Sequence, residues 1–246
     1  EETGLDVGPS TIAVVSDSSA ELKQFCAELT FLDKEKRKTQ RKMERQRRQN
    51  NPENYHENGS IKKGKKTWHH SKRYLKTKTI HQEYERKLKE KRKTLHGYEA
   101  NRILKRSKSV KTEKLSYKAF QKLFGKSVGR RAPSAFIQTL KQKMIAHGGE
   151  FQEFSTYKTK LSQTCQCGTV KKKKLSERWH RCDCGVVAQR DLYSAYLAKC
   201  VNKSGLLSIK KAQSQWDVMQ PLLEQCMESL KKDKKSKKEL VSTFGL

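Results

Sequence analysis

Four cysteines lie in two matched pairs within residues 161–198, whose sequence is LSQTCQCGTVKKKKLSERWHRCDCGVVAQRDLYSAYLA. The pairs are Cys165/Cys167 and Cys182/Cys184, and a glycine directly follows each pair. Two tight pairs of thiols joined by a short arm are typical of a ribbon that binds one Zn²⁺ ion. The spacing therefore predicts a zinc ribbon in which these four cysteines are the ligands.

The histidine of this segment and the three remaining cysteines have other interpretations. His180 could replace one cysteine as a ligand, but beside Trp179 it is better explained as a packing residue or a nucleic-acid contact. Cys26, Cys200 and Cys226 are predicted to be buried as small apolar residues. Because the paired cysteines indicate a metal site rather than a disulfide framework, we expect a reducing compartment, and therefore a cytoplasmic, nucleoid-associated protein.

Three acidic residues are candidates for a second metal site. Asp6 lies within an apolar segment rich in β-branched residues, where an unpaired carboxylate is costly. Glu113 ends a later predicted strand, and Asp191 begins a predicted helix. Carboxylates suit Mg²⁺ or Mn²⁺, and two such ions about 3.5–4 Å apart can activate a water and stabilise a leaving oxygen. We therefore predict that Asp6, Glu113 and Asp191 are metal ligands and catalytic residues.

Each of these acids also has a purely structural interpretation. Asp6 could cap the turn at Gly8, and Glu113 could be an ordinary charge at a strand end. Asp191 could be the N-cap of its helix, a role that can coexist with metal binding.

The order of the predicted elements indicates an α/β fold in which strands precede helices in the pattern of an RNase H-like domain. Two basic helices interrupt this pattern after the first three strands and would form a helical hairpin inserted into the fold. The predicted elements are strands within 3–15, 25–29, 109–116 and 150–154, helices at 31–49, 71–95, 133–147, 190–201 and 216–230, a helix end at 96–104, a loop at 124–131 and a disordered segment at 231–238.

The charge of the chain points to a polyanionic partner. The 246 residues carry a formal net charge of +30, and only 33% of them are hydrophobic. Nucleic acid is the natural partner for such a chain, whereas no apolar run of about 18 residues supports a membrane span. We predict that the basic residues near the acids and in the ribbon arm bind nucleic acid, namely Lys111, Lys114, Arg130, Arg131, Lys171, Lys172, Lys173, Lys174 and Arg190.

The segments GLDVGPSTIAVV, VKTEKLS and TCQCG…RCDCGVVAQRDLYSA resemble, in this order, the three split RuvC motifs of the TnpB family. Those proteins are encoded by insertion sequences and are related to type V CRISPR effectors. The resemblance covers about residues 3–200, and Asp6, Glu113 and Asp191 occupy the positions of the acids in the three motifs. Both pairs here are Cys-x-Cys, whereas the family usually has Cys-x-x-Cys.

The resemblance implies an RNA-guided DNA endonuclease with a metal-dependent RuvC site, Zn²⁺ in the ribbon, and guide RNA and target DNA as partners. It also implies an N-terminal half that holds much of the guide. Because the resemblance begins at the first RuvC motif, we expect this chain to be either a fragment of such a protein or a degraded copy of one. The implied organisation is RuvC segment I in 1–30, a basic helical insertion in 31–105, RuvC segment II in 106–160, the zinc ribbon in 161–187, RuvC segment III in 188–204 and a helical or disordered tail in 205–246.

Two other functions remain open at the level of sequence. A catalytically idle RNA-guided DNA-binding protein, or a fragment of one, would share the positive charge. A DNA transposase would share the RNase H-like fold and the three acids. Co-purification of RNA with the protein favours the guided nuclease, and strand joining in vitro favours the transposase.

Overall fold

A computed structural model describes residues 1–235 and 244–245, with the side chains of 233–235 left out. The chain forms a mixed α/β structure, which confirms the predicted fold class at this level. Its strands are β1 (Glu2–Val7), β2 (Thr11–Val15), β3 (Ala20–Gln24), β4 (Ser109–Lys114), β5 (Glu150–Ser155), β6 (Trp179–Arg181) and β7 (Val187–Gln189). Its helices are α1 (Leu29–Asn50), α2 (Lys72–Leu104), α3 (Tyr117–Arg131), α4 (Pro133–Ala146), α5 (Thr156–Thr159), α6 (Arg190–Lys199) and α7 (Ile209–Lys235).

The described chain divides into two compact units. One comprises Glu1–Phe25 and the described residues from His96 onwards, and the other comprises Cys26–Leu95. The first contains a five-stranded sheet with the order β3-β2-β1-β4-β5, and a separate two-stranded ribbon of β6 and β7. Strand β1 is antiparallel to β2 and parallel to β4, and β4 is parallel to β5. No helix in the described part of the chain is long and apolar enough to span a membrane.

Helix α6 lies against one face of the sheet and supplies most of the core on that side. Its residues Leu192, Tyr193, Tyr196 and Leu197 are fully buried and contact the inward residues of the sheet and of α7. Because successive strand residues point to opposite faces, Gly4 and Asp6 of β1 both face α6. The sheet therefore presents Asp6 towards the helix that carries Asp191.

Helix α4 packs against β5, and the C-terminal part of α2 contacts β3 through Glu99 and Lys23. Pro133 begins α4, and its apolar residues recur every three or four positions, so that Phe136, Leu140 and Met144 are all fully buried. The ring of Phe136 lies 5.1 Å from that of Phe25, at the end of β3. This packing holds the sheet as a rigid support for the acids on the face that α6 covers.

Four predictions about local structure are wrong, and two of them concern the ends of elements. The third strand ends at Gln24 and not at 29, because Cys26 has a left-handed φ of 49° that stops the strand. The second basic helix does not end near 95 but continues to Leu104, since Ala100 and Ile103 are buried in the core of the first unit.

Residues 124–131, which the sequence predicts as a loop, belong to helix α3, with a kink at Phe124. Residues 231–235, which it predicts as disordered, extend α7, and 236–238 lie outside the described residues.

The second unit contains α1, the first part of α2 and the loop between them. Asn51 is fully buried and holds this loop: its Nδ2 donates to the carbonyls of Arg47 and His69, and its Oδ1 accepts from the His69 N–H. The Arg47 guanidinium lies over the ring of Trp68, 4.9 Å from its centre. Basic residues greatly outnumber acidic ones in this unit, which is therefore an ordered, strongly cationic surface.

Candidate functional site

The pairing of β1 with β4 places Asp6 and Glu113 beside each other. In this parallel pair Leu5 is opposite Thr112, so Asp6 and Glu113 are the next residue on each strand. Both point to the face covered by α6, because strand side chains alternate between faces. Two predicted ligands therefore lie on neighbouring strands at the carboxyl end of each.

Helix α6 brings the third acid to the same place. A Cβ atom on Gly4 would lie 1.9 Å from the Ala195 carbonyl oxygen, so the helix backbone rests directly on β1 at this glycine. Asp191 lies one helical turn before Ala195, and Asp6 lies two residues after Gly4, on the same side of the contact. The sequence alone offers one signal for this role of Gly4, because a glycine inside a strand often marks a close backbone approach.

Burial and mutual repulsion raise the pKa of Asp6 well above its ordinary value. Burial is the largest cause, and the charges of Asp191 and Glu113 add to it, while Arg190 opposes it. Burial also raises the pKa of Glu113, although the N–H of Leu161 and the hydroxyl of Thr159, 3.3 Å away, stabilise its charged form. Asp191 and Glu113 therefore lie close enough to Asp6 for their charges to act on its carboxyl group.

The ligand atoms of the three acids do not all lie as close together as those around a single metal ion. Among the described residues, only the four cysteines have all their ligand atoms within 4.8 Å of one another. The carboxylates of Asp6, Glu113 and Asp191 are therefore spread more widely. Carboxylate oxygens are the ligands that Mg²⁺ and Mn²⁺ prefer, so it is the chemistry of this donor set, and not its spacing, that suits such ions.

Two structural roles that the sequence offers for these acids are filled by other groups of the protein. The N-cap of α6 is Gln189, whose Oε1 accepts from the N–H groups of Asp191 and Leu192 at 2.8 and 2.9 Å. The turn after β1 is closed by a backbone hydrogen bond from Gly8 to the Thr11 carbonyl. Neither role therefore uses the carboxylate of Asp191 or Asp6.

The four cysteines converge as the sequence predicts. Cys165 Sγ lies 3.5 Å from Cys184 Sγ, and Cys167 Sγ lies 3.6 Å from Cys182 Sγ. A tetrahedral ion with Zn–S bonds of about 2.3 Å needs sulfurs about 3.8 Å apart, so the thiols fit Zn²⁺ closely. The hydroxyl of Thr169 lowers the pKa of Cys167 to about 6, which favours the thiolate that a metal requires. Burial raises the pKa of Cys165 to about 12 and also raises that of Cys184, so a metal ion would have to displace the protons of these two thiols.

Both Cys-x-Cys pairs form the same turn. Gly168 N–H donates to the Cys165 carbonyl at 2.9 Å, and Gly185 N–H donates to the Cys182 carbonyl at 3.0 Å. The two glycines have φ values of 89° and 92°, which a residue with a Cβ adopts only with strain. The shortened spacing is therefore a regular turn that occurs twice and presents both thiols of each pair to one centre.

Replacing Cys182 by serine should remove the bound zinc. Serine offers a poorer ligand, and structural Zn²⁺ sites contribute about 10 kcal/mol or more of apparent free energy in small zinc domains, so we expect a clear loss of Tm. Metal analysis of the purified protein and a thermal melt measure both effects. Cys226→Ala is the matched control, because Cys226 lies outside the cluster and should leave one zinc per chain. Equal zinc content in Cys182→Ser and wild type would contradict the assignment.

His180 and the remaining cysteines are packing residues. His180 is buried, its ring lies 4.3 Å from that of Tyr193, and burial together with the nearby Lys173 lowers its pKa to about 4. The structure therefore favours the packing interpretation of His180 over that of a ligand or a nucleic-acid contact. Cys26 and Cys200 are buried as predicted, and Cys226 is half-buried.

Two predicted nucleic-acid contacts are wrong. Lys111 is buried, and its ammonium group donates to the carbonyls of Val201 and Lys199 at 2.7 and 3.3 Å, where it caps the C-terminal end of α6. Arg131 is also buried and donates to the Phe25 carbonyl at 2.6 Å. Neither side chain can reach a phosphate, because each satisfies carbonyl groups of the protein interior.

The other predicted contacts lie closer to solvent, although two of them have partners within the protein. Arg190 donates to the carbonyls of Leu175 and Glu177 and approaches Asp191, and Lys173 contacts His180. A groove of about 350 Å³ on the ribbon adds basic residues and a tryptophan that the sequence analysis did not single out, namely Arg178, Trp179 and Arg181. Lys173 and Arg190 are half-exposed, and the remaining predicted residues, which are also exposed or half-exposed, are Lys114, Arg130, Lys171, Lys172 and Lys174.

Residues 134–197 match the family model described as Cas12f1-like, TNB domain. The match includes nearly all of α4, then β5, the cysteine ribbon and most of α6 with Asp191, and it confirms the resemblance to a TnpB and Cas12-like family. It does not extend to Asp6 or Glu113. No curated protein matches the chain.

Proposed function

We propose that this protein is the nuclease part of an RNA-guided DNA endonuclease that hydrolyses phosphodiester bonds with divalent ions. The observation that carries the proposal is the convergence of Asp6, Glu113 and Asp191. They come from three distant segments and meet where β1, β4 and α6 come together. The strand order and the antiparallel β1–β2–β3 unit followed by parallel β4 and β5 support an RNase H-like, RuvC-type domain.

The chain's own residues would prepare this site for Mg²⁺ or Mn²⁺. Bound ions supply an activated water and offset the charge on the departing 3′ oxygen. Asp6 stands on a rigid central strand, Glu113 is oriented by the hydroxyl of Thr159, and Asp191 is held at 3.2 Å from the Nε of Arg190. Because the charges of Asp191 and Glu113 disfavour the charged form of Asp6, a cation beside these half-buried carboxylates would offset that repulsion.

The basic surfaces would hold the nucleic acids. The groove on the ribbon pairs Trp179 with Lys171, Arg178 and Arg181, a combination of ring and cations that suits a stacked base and its phosphates. The unit Cys26–Leu95 adds a second cationic surface. Guide RNA and target DNA are the partners that we assign to these surfaces, and a chain of net charge +30 should bind them with a steep salt dependence.

Sequencing the RNA that co-purifies with the protein, expressed with its flanking DNA, tests the proposal. A DNA substrate complementary to this RNA should be cut in the presence of Mg²⁺ and remain intact in EDTA, whereas a scrambled DNA should remain intact in both. Binding of the matched DNA without cleavage would favour an idle RNA-guided binding protein. Joined DNA strands would favour a transposase, and either result would overturn the proposal.

A further inference from the structure

The ribbon and the carboxylate site are joined by continuous chain. Strand β7 ends at Gln189, and α6 begins at the next residue, Arg190. Gln189 pairs with Trp179 across the ribbon, while its side chain caps the first turn of α6. The last residue of the ribbon therefore sets where the helix that carries Asp191 begins.

Tyr193 forms a second and more specific connection. It lies two residues after Asp191 on α6, is fully buried, and accepts a hydrogen bond from the Gln166 N–H at 2.9 Å. The same hydroxyl lies 3.5 Å from Cys165 Sγ. Tyr193 thus contacts the first cysteine turn, and its backbone belongs to the same helical turn as Asp191.

Arg190 adds a third connection on the other side of Asp191. Its Nη1 donates to the carbonyls of Leu175 and Glu177, in the arm between the two cysteine pairs, at 3.2 and 2.9 Å. Its Nε lies 3.2 Å from Asp191 Oδ1. The arm that the cysteine centre holds in place therefore also orients the guanidinium beside the acid.

We propose that Tyr193 is a positioning residue through which metal binding at the four cysteines strengthens divalent-ion binding by the three carboxylates. This inference rests on the proposed function, because it takes Asp191 as a ligand. Without the metal, the thiols of Cys165 and Cys184 lose their common centre, and the turn that holds the Tyr193 hydroxyl can move. Binding at the two sites must then be coupled, and the coupling must act equally in both directions.

A Mn²⁺ titration followed by electron paramagnetic resonance measures this coupling without any need for cleavage. The full chain is titrated once with zinc bound and once after removal of zinc, below the melting temperature of the zinc-free form, and circular dichroism is recorded for both. If the zinc-free chain unfolds, the comparison of zinc-loaded wild type with zinc-loaded Tyr193→Phe carries the test. Coupling free energies are commonly 1–3 kcal/mol, so we expect zinc removal to weaken Mn²⁺ binding about tenfold in the wild type. In the reverse direction, Co²⁺ in the cysteine site, followed by its thiolate absorption bands, should bind about tenfold more tightly when Mn²⁺ is saturating.

Tyr193→Phe removes only the hydroxyl and keeps the ring contacts. With zinc bound, this variant should bind Mn²⁺ about fivefold more weakly than the wild type, and zinc removal should then change its affinity less than about twofold. Tyr196→Phe is the matched control, since Tyr196 is a buried tyrosine one turn along the same helix that donates to the Ala212 carbonyl and not to the ribbon. It should behave like the wild type.

Three results would overturn the inference. Equal Mn²⁺ affinities of the zinc-loaded and zinc-free wild type would show that the sites are independent. An effect of Tyr196→Phe as large as that of Tyr193→Phe would show that any buried hydroxyl on α6 matters equally. Absence of Mn²⁺ binding in the zinc-loaded wild type would overturn the carboxylate site itself, and thus the proposed function as well.

Discussion

An Asp6→Asn variant is expected to lose DNA cleavage. At neutral pH, with zinc in the ribbon but without Mg²⁺ or Mn²⁺, this variant should also resist heat better than the wild type. Asparagine keeps the shape of the side chain but removes one charged ligand from the site. The loss of cleavage should be about 10³-fold or more, the upper range for removing one group that stabilises transition-state charge. Binding of RNA and DNA should be nearly unchanged, because the basic surfaces are intact.

The gain in stability follows from the raised pKa of Asp6. Between the ordinary carboxyl pKa and the raised folded value, the folded protein binds a proton that the unfolded chain has released. The stability of the wild type without Mg²⁺ or Mn²⁺ therefore falls as the pH rises through this window, and Asp6→Asn avoids that loss. The difference in Tm should vanish below about pH 4, where the carboxyl is protonated in both states.

Thermal melts of the two proteins without Mg²⁺ or Mn²⁺, from acid to neutral pH, measure the difference in Tm between the wild type and Asp6→Asn. Asp217→Asn is the matched control, since Asp217 is exposed on α7 and should leave both cleavage and the pH profile unchanged. Mg²⁺ should raise the Tm of the wild type but not that of Asp6→Asn. Cleavage by Asp6→Asn at the wild-type rate would refute the assignment of this residue.

The second large effect is expected for Gly4→Ala. Its new Cβ would lie 1.9 Å from the Ala195 carbonyl oxygen and 2.5 Å from the Lys199 nitrogen, both of which are backbone atoms of α6. The helix must move away from β1, which carries Asp191 away from Asp6. Overpacking of this kind typically costs about 1–3 kcal/mol of stability, and a misplacement of about 1 Å in a catalytic group can cost about 10²-fold in rate.

Gly97→Ala provides the control for Gly4→Ala. Gly97 lies within α2 and has no atom within 4 Å of the position its Cβ would occupy, so alanine there should stabilise the helix by up to about 1 kcal/mol. Denaturant unfolding and cleavage rates should be measured for both variants. If Gly4→Ala retained both wild-type stability and cleavage, then the contact between α6 and β1 would not position the acids.

The residues that the sequence singles out most clearly are those whose chemistry conflicts with their surroundings. Asp6 stands out because a carboxylate is out of place in an apolar strand, and the four cysteines because their spacing matches metal coordination. Such conflicts are local, so they can be recognised before the fold is known. A local pattern does not show which strands pair, and only the structure shows that Glu113 lies on the strand next to that of Asp6.

The errors concern residues whose roles depend on distant partners. Lys111 and Arg131 look like surface cations in the sequence, but each satisfies carbonyl groups that come from segments 88 to 106 residues away. The sequence does not reveal the roles of Gly4 and Tyr193 for the same reason, since their contacts arise only when α6 packs on β1 and on the ribbon. A local pattern cannot reveal the partner of a side chain that is buried by tertiary packing.

Direct measurement of Mn²⁺ binding to the zinc-loaded chain tests the central claim that three carboxylates form a divalent-metal site. Isothermal titration calorimetry of the wild type and of Asp6→Asn, Glu113→Gln, Asp191→Asn and the control Asp217→Asn gives the affinity and the number of ions. The wild type and Asp217→Asn should bind Mn²⁺ alike, and each of the three ligand variants should lose at least one ion or bind about tenfold or more weakly. Identical binding by all five proteins would contradict the account.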